Sequence, residues 1–222
     1  MAYRRVPFAT GEWYHCFNRG IDKRTVFETE DDSRRFTELL YLANDTKPIE
    51  RGNFYHRQHR DIFQVPRWRP IVEIGAYCLM KNHYHLLIRE KEDGGITRFM
   101  QKLGTGYTMY FNQKYQRVGG LFQGRFKAVC VEREPHFLYL PHYIHLNPLD
   151  LRFPSWQDKK IQGVSLTLKF LETYRWSSYL DHIGKKNFPS IISRRLFEEL
   201  YDTPSEYKKS LHEWIRNMDL ND

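Results

Sequence analysis

The sequence has little of what would tie a chain to an oxidising compartment or to a membrane. Its 222 residues include only three cysteines, Cys16, Cys78 and Cys130, widely spaced and without a C-x-x-C pair. That excludes a disulfide framework and a cysteine-based zinc site. No apolar run is long enough to cross a bilayer, and the opening M-A-Y-R-R-V-P-F lacks the apolar core of a secretory signal. A cytoplasmic protein with no membrane partner is therefore the expectation. Repeats and low-complexity tracts are missing as well.

Negative charge is also scarce, with 27 acidic residues against 35 basic ones and a net charge of +8. Such a balance favours a polyanionic partner, nucleic acid or an anionic surface. Aromatic residues make up 16% of the chain, which turns the balance toward nucleic acid because bases stack on rings, although rings also fill cores. With 41% hydrophobic residues the chain can bury a proper core. Its length favours one domain with elaborations.

What the sequence does have is a pair of histidines in the run C-L-M-K-N-H-Y-H-L-L-I-R-E, residues 78–90. Strand side chains alternate, so His83 and His85 share one face while Tyr84 and Leu86 point to the other. Two imidazoles there can grip one metal ion, but His-x-His also occurs as a solvated or hydrogen-bonded pair, so partners are needed. Residues 71–79 and 83–89 read as a hairpin around Met80-Lys81-Asn82, with an earlier strand over 12–19 ending at Arg19-Gly20. His15 on that strand is left out, as a lone strand histidine is usually structural.

Apolar spacing of three and four predicts a helix over 30–43 and a longer one from Ile96 to Phe111, in which Gly104 and Gly106 imply close packing. The segment 44–70 interleaves Arg51, His56, Arg57, His59, Arg60, Arg67 and Arg69 with Phe54, Tyr55, Phe63 and Trp68. It is either a single-strand binding surface or a solvated insertion. A strand is expected over 126–132, where Arg125 and Lys127 would share a face and meet phosphates or simply charge an edge.

The stretch P-H-F-L-Y-L-P-H-Y-I-H-L-N-P, residues 135–148, predicts a helix on which Tyr143 and Asn147 are one turn apart on a single face. His142 and His145 face other directions and are read as phosphate contacts or solvated residues. Two imidazoles, an amide oxygen and a neighbouring phenol suit a divalent ion with open positions for phosphate oxygens. Nitrogen and oxygen donors without thiolate favour Mg²⁺ or Mn²⁺. Beside such an ion the phenol is a poised nucleophile.

In that order and spacing, K-N-H-Y-H-L-L-I, G-L-F-Q-G-R-F-K, Y-I-H-L-N-P and Y-R-W-S-S-Y resemble the single-tyrosine HUH transposases of small insertion sequences, most of all their REP-associated tyrosine transposase branch. The resemblance runs from about residue 10 to about residue 180. It implies an α+β fold, a central antiparallel sheet with helices on one face related to the ferredoxin-like plan. It divides the chain into a catalytic domain over 1–150, with 44–70 inserted, and a helical extension over 151–222 packed on it. It also implies metal ligation by His83, His85 and Asn147, with Tyr143 as nucleophile. The implied reaction is cleavage and rejoining of single-stranded DNA at hairpin-bearing sites through a 5′-phosphotyrosine, with no nucleotide cofactor, by a monomer or homodimer. Arg19, Arg67, Trp68, Arg69, Arg125 and Lys127 are the candidate DNA contacts. Lys81 departs from the family pattern and would loosen the hairpin turn, and Pro141 would kink the helix below Tyr143. The alternatives are a catalytically silent nucleic-acid-binding descendant and a phosphohydrolase that uses water.

Overall fold

The structure, a computed structural model, describes residues 7–48, 61–131, 134–153, 156 and 163–219. Arg51, Phe54, Tyr55, His56, Arg57, His59 and Arg60 lie outside these. Strands β1 (Trp13–Arg19), β2 (Val72–Met80), β3 (His83–Glu90) and β4 (Lys127–Cys130) form one antiparallel sheet in the order β2-β3-β1-β4. With α1 (Glu30–Leu42) after β1 and α2 (Gly95–Lys114) after β3, the chain runs β-α-β-β-α-β. This is the expected split, ferredoxin-like plan.

The central strands β2 and β3 are buried on both faces, and the pleat sends successive side chains to opposite ones. Tyr14, Cys16, Ile74, Tyr77, Leu79, Tyr84, Leu86 and Ile88 are buried beneath α1 and α2, together with Phe36, Leu39, Phe99, Leu103 and Tyr107. A register shift between Ile74 and Ala76 moves the buried set of β2 from even to odd positions. The helices meet closely at Gly106, where a Cβ would stand 3.4 Å from Leu39 Cδ2; at Gly104 nothing lies within 4 Å. The first glycine has the packing reason expected of it, and the second does not.

A carboxylate joins the two helices. Thr29 caps α1 in a box with Asp32. The fully buried Asp32 accepts from the backbone N–H of Glu28 and Thr29 at 2.9 Å, from Tyr110 at 3.0 Å, Tyr115 at 2.6 Å and Lys114 at 2.7 Å. Burial alone would raise its pKa, but the bonds from Lys114, Tyr115, the Thr29 backbone and Tyr110 outweigh it and hold the carboxyl below its ordinary value.

The expectation of helices on one face needs correction. A third helix, α3 (Glu134–Leu146), lies across the other face, with Leu140 and Ile144 buried against Trp13, Ala76, Cys78, Leu87 and Val131. Beyond a 3-10 turn at Asn147–Leu151 come α4 (Val164–Thr173), α5 (Tyr179–His182), α6 (Arg195–Leu200) and α7 (Pro204–Asp219). Leu146, Leu149, Trp156, Leu171, Tyr179, Tyr207, Leu211 and Ile215 form a second apolar core there. It is joined to the free edge of β2 by Leu79 N donating to Trp176 O at 2.9 Å, Ser178 N to Tyr77 O at 3.0 Å and Tyr77 N to Ser178 Oγ at 2.9 Å. An edge that could recruit a foreign strand is thereby occupied.

Asp32→Asn keeps the shape and removes the charge at this junction, and it is expected to lower the unfolding free energy by about 3 kcal/mol at pH 7. Because the folded pKa lies below the ordinary 3.8, the contribution is present above that value and fades as pH falls through the folded one. Urea unfolding of both proteins at pH 7 and pH 3 checks it: the gap between them should narrow in acid.

Candidate active site

The face left beneath α3 carries the histidines. Register places His83 opposite Arg19 and Met80, His85 opposite Phe17 and Cys78, and Phe17 opposite Lys127. Directly paired residues share a face. Arg19, Phe17, His15, His83, His85 and Lys127 are therefore one surface, and Tyr84 is buried on the opposite one.

The hairpin that presents His83 is braced from outside. Lys81 O accepts from Val26 N at 2.8 Å and Phe27 N at 3.1 Å, and Asn82 O accepts from Gly20 N at 2.8 Å. A Cβ on Gly20 would come within 2.5 Å of Arg24 O, so only glycine allows this approach. The turn is thus held through the backbone carbonyls of Lys81 and Asn82, which do not depend on the side chain at 81.

Each ring is held by one nitrogen. His83 Nδ1 lies 2.7 Å from Asn82 Oδ1, whose amide also donates to Lys23 O at 3.0 Å. His85 Nδ1 lies 2.8 Å from His15 Nε2, with the two rings 5.0 Å apart and nearly parallel. His15, set aside in the sequence reading, is thus part of the site. The Nε2 atoms of His83 and His85 are the ones left for a ligand, and their rings stand 5.0 Å apart.

Helix α3 brings the remaining groups. It continues through Pro141, and the ring of Tyr143 stands edge-on to His85 at 5.6 Å and to His15 at 6.1 Å. With Pro141 inside the helix, the Tyr143 ring still packs against His85 and His15. Asn147 follows one turn later; its amide donates to the Tyr143 backbone O at 2.7 Å, and its nearness raises the His83 pKa and lowers that of the Tyr143 phenol. Tyr139, the rival tyrosine, is 41% exposed and stacks outside Tyr143 at 5.8 Å, against Trp214.

Burial sets the charge state. It lowers the His83 pKa to about 4, helped by Arg19 and opposed by Asp150 and Asn147. Burial, then His15, His83 and Arg19, push His85 well below the ordinary range, and burial alone takes His15 to about 4. All three rings are neutral at pH 7, and a neutral ring has the lone pair a metal needs. Burial, with Tyr139 and Asp150, raises the Tyr143 phenol, and Asn147 opposes this. Asp150, which accepts from Trp156 Nε1, had no signal in the sequence beyond an acid one turn after Asn147.

The expected DNA contacts divide. Arg19 and Lys127 are exposed on the histidine face, and Arg125 is exposed just before β4, which is shorter than expected and begins at Lys127. Among the described residues no carboxylate pairs with any of the three. Arg67, Trp68 and Arg69 lie at the other end of β2, roughly 25 Å from His83 by strand length. There Arg67 stacks 4.1 Å over Tyr41 and donates to Ser190 O, Arg69 pairs with Glu92 at 2.9 Å, and Trp68 stands 4.4 Å from Lys47. The structure does not bring these three to the site.

His142 and His145 are buried, not solvated. His142 Nε2 lies 3.0 Å from Ser210 Oγ, and His145 bridges Tyr207 Oη at 2.5 Å and Ser178 Oγ at 2.8 Å. These bonds fix α3 from its outer side. Tyr207→Phe strands one nitrogen of a neutral buried ring, an expected loss of about 1–3 kcal/mol in urea unfolding.

A family model described as IS200-like transposase matches residues 10–147. Among solved structures, one of a REP-associated tyrosine transposase bound to a REP hairpin aligns with a TM-score of 0.51 at 14% identity, over 87% of this chain and 91% of that one. No curated protein matches.

Proposed function

The chain belongs to the IS200-like transposase family, and from that premise we propose that it cleaves and rejoins single-stranded DNA with Tyr143 as the nucleophile. The observation that carries this reading is the position of one ring: Tyr143 stands 5.6 Å from His85, on the helix that leads directly into the 3-10 turn bearing Asn147, which acts on the pKa of His83. The solved relative is bound to a hairpin, which supports a hairpin-bearing substrate here.

The donor set fits a divalent cation, Mg²⁺ or Mn²⁺. Among the described residues no three His, Cys, Asp or Glu side chains converge. The fit rests instead on His83 Nε2, His85 Nε2 and Asn147 Oδ1. Both histidines are neutral and both have their Nδ1 atoms engaged, the arrangement that orients imidazole ligands. When bound, the ion would draw charge from the scissile phosphate.

The protein's own groups do the rest. Tyr143 Oη attacks phosphorus and releases its proton to solvent; the P–O3′ bond breaks, and the departing 3′ oxygen takes a proton from solvent to become a hydroxyl. The 5′ phosphate stays on the tyrosine, and the reverse attack by a 3′-hydroxyl rejoins the strand. Burial raises the Tyr143 phenol above its ordinary pKa, so a cation held by His83, His85 and Asn147 would supply positive charge that favours loss of its proton. Arg19, Arg125 and Lys127 would hold the strand by its phosphates.

Incubation with labelled hairpin DNA and Mg²⁺ or Mn²⁺, followed by denaturing electrophoresis, tests the proposal. Wild type should give a protein-linked product. Tyr143→Phe should give none while folding and binding DNA normally, and Tyr139→Phe should still give it. An adduct in Tyr143→Phe contradicts the assignment, cleavage without any adduct indicates a phosphohydrolase, and binding without cleavage indicates a silent DNA-binding protein.

Affinity for hairpin DNA should fall steeply with salt. Lys127→Ala should reduce the slope of log K against log salt by about one. An unchanged slope, read by anisotropy titration across salt concentrations, would remove Lys127 from the phosphate path.

A further inference from the structure

We infer that His15 is a positioning residue that fixes the tautomer of His85, so that the lone pair of His85 Nε2 faces Tyr143 and Asn147. This rests on the reading of His83 and His85 as the metal pair.

The argument starts from His83, where the answer is forced. Its Nδ1 lies 2.7 Å from Asn82 Oδ1, an oxygen that only accepts, so Nδ1 carries the proton and Nε2 the lone pair. His85 has no such partner. Its Nδ1 lies 2.8 Å from a nitrogen of another imidazole, which can donate or accept. Of the two ways to share that proton, one places it on His85 Nδ1 and leaves Nε2 free for a cation. The other places it on His15 Nε2, which leaves the proton of neutral His85 on Nε2 and blocks ligation. At 2.8 Å one of the two facing nitrogens must donate and the other accept, so the choice is between these two tautomer pairs.

The contact is built, not incidental. Residues 15 and 85 lie on neighbouring strands, one pair out of direct register, where long side chains meet. The rings overlap at 5.0 Å with 23° between planes, and Phe17 packs on both, 4.9 Å from His15 and 5.8 Å from His85. With Asn82 accepting from Nδ1 of one ligand and His15 accepting from Nδ1 of the other, both Nε2 atoms would carry their lone pairs. Asn82 does this within the hairpin, whereas His15 does it from the next strand.

The test is nitrogen-proton correlation NMR of the metal-free protein, which reads the tautomer of each histidine, together with Mn²⁺ titration. Wild type should show His85 protonated on Nδ1. In His15→Leu the acceptor is gone, and His85 should shift to the Nε2-protonated form, with Mn²⁺ affinity falling about 10–100-fold. His15→Gln offers Oε1 as an acceptor in nearly the same place, and it should restore both the tautomer and most of the affinity.

His85 protonated on Nε2 in wild type overturns the inference, without any variant being needed. So does a His15→Leu protein that binds Mn²⁺ as wild type does. If His15→Leu and His15→Gln both lose Mn²⁺ while the His85 tautomer is unchanged, His15 is itself a ligand. If wild type binds no Mn²⁺ at all, the metal reading fails, and the tautomers of the metal-free protein still decide the role of His15.

Discussion

Everything proposed for this site depends on the docking of α3 across the face of the sheet that α1 and α2 leave uncovered. Leu140 and Ile144 enter that face beside Ala76, Cys78 and Leu87. Burying two such side chains contributes about 1.5–3 kcal/mol each, comparable with the roughly 3 kcal/mol that Pro141 costs inside a helix. The helix therefore continues through the proline. Its register against β2 and β3 is set by packing and not by any contact between the reacting groups. Tyr143 lies between the two anchors on the helix, and that position is what turns its ring toward His85.

The outer side of α3 is held in a different way. His142 and His145 reach α7 and the strand-capping segment at Ser178 through hydrogen bonds inside an apolar core. Such bonds add little net stability when made but cost much when half made, so they select one orientation of the helix over its neighbours. The C-terminal helices act on the site through this seam, although none of their polar groups needs to touch a substrate. The sheet contributes the same kind of constraint from below, since a one-residue slip would carry His83 and His85 to the buried face.

Much of this was legible in the sequence. The alternation around Tyr84 and the helical spacing of Phe36, Leu39 and Leu40 fix local faces, and each is found where the pattern put it; α3, by contrast, ends at Leu146, so Asn147 stands in the 3-10 turn beyond it. What the pattern could not carry was pairing over distance. His15 looked like a solitary strand histidine because its partner is 70 residues away. His142 and His145 looked solvated because the groups that bury them, Ser210, Tyr207 and Ser178, come from a segment with no chemical pattern of its own. Arg67 and Arg69 looked like Arg125 and Lys127, and only the length of β2 separates the two sets. That α3 covers a second face was hidden too, since an apolar stripe states that a helix is buried and not against what.

The central claim is that Tyr143 faces a cation held by His83, His85 and Asn147. A crystal grown with Mn²⁺ and measured near the manganese absorption edge tests it most directly. The account predicts one anomalous peak within bonding distance of His83 Nε2, His85 Nε2 and Asn147 Oδ1, with Tyr143 Oη on its open side. A peak reached through the Nδ1 atoms, a peak elsewhere on the protein, or none at saturating Mn²⁺ would contradict it.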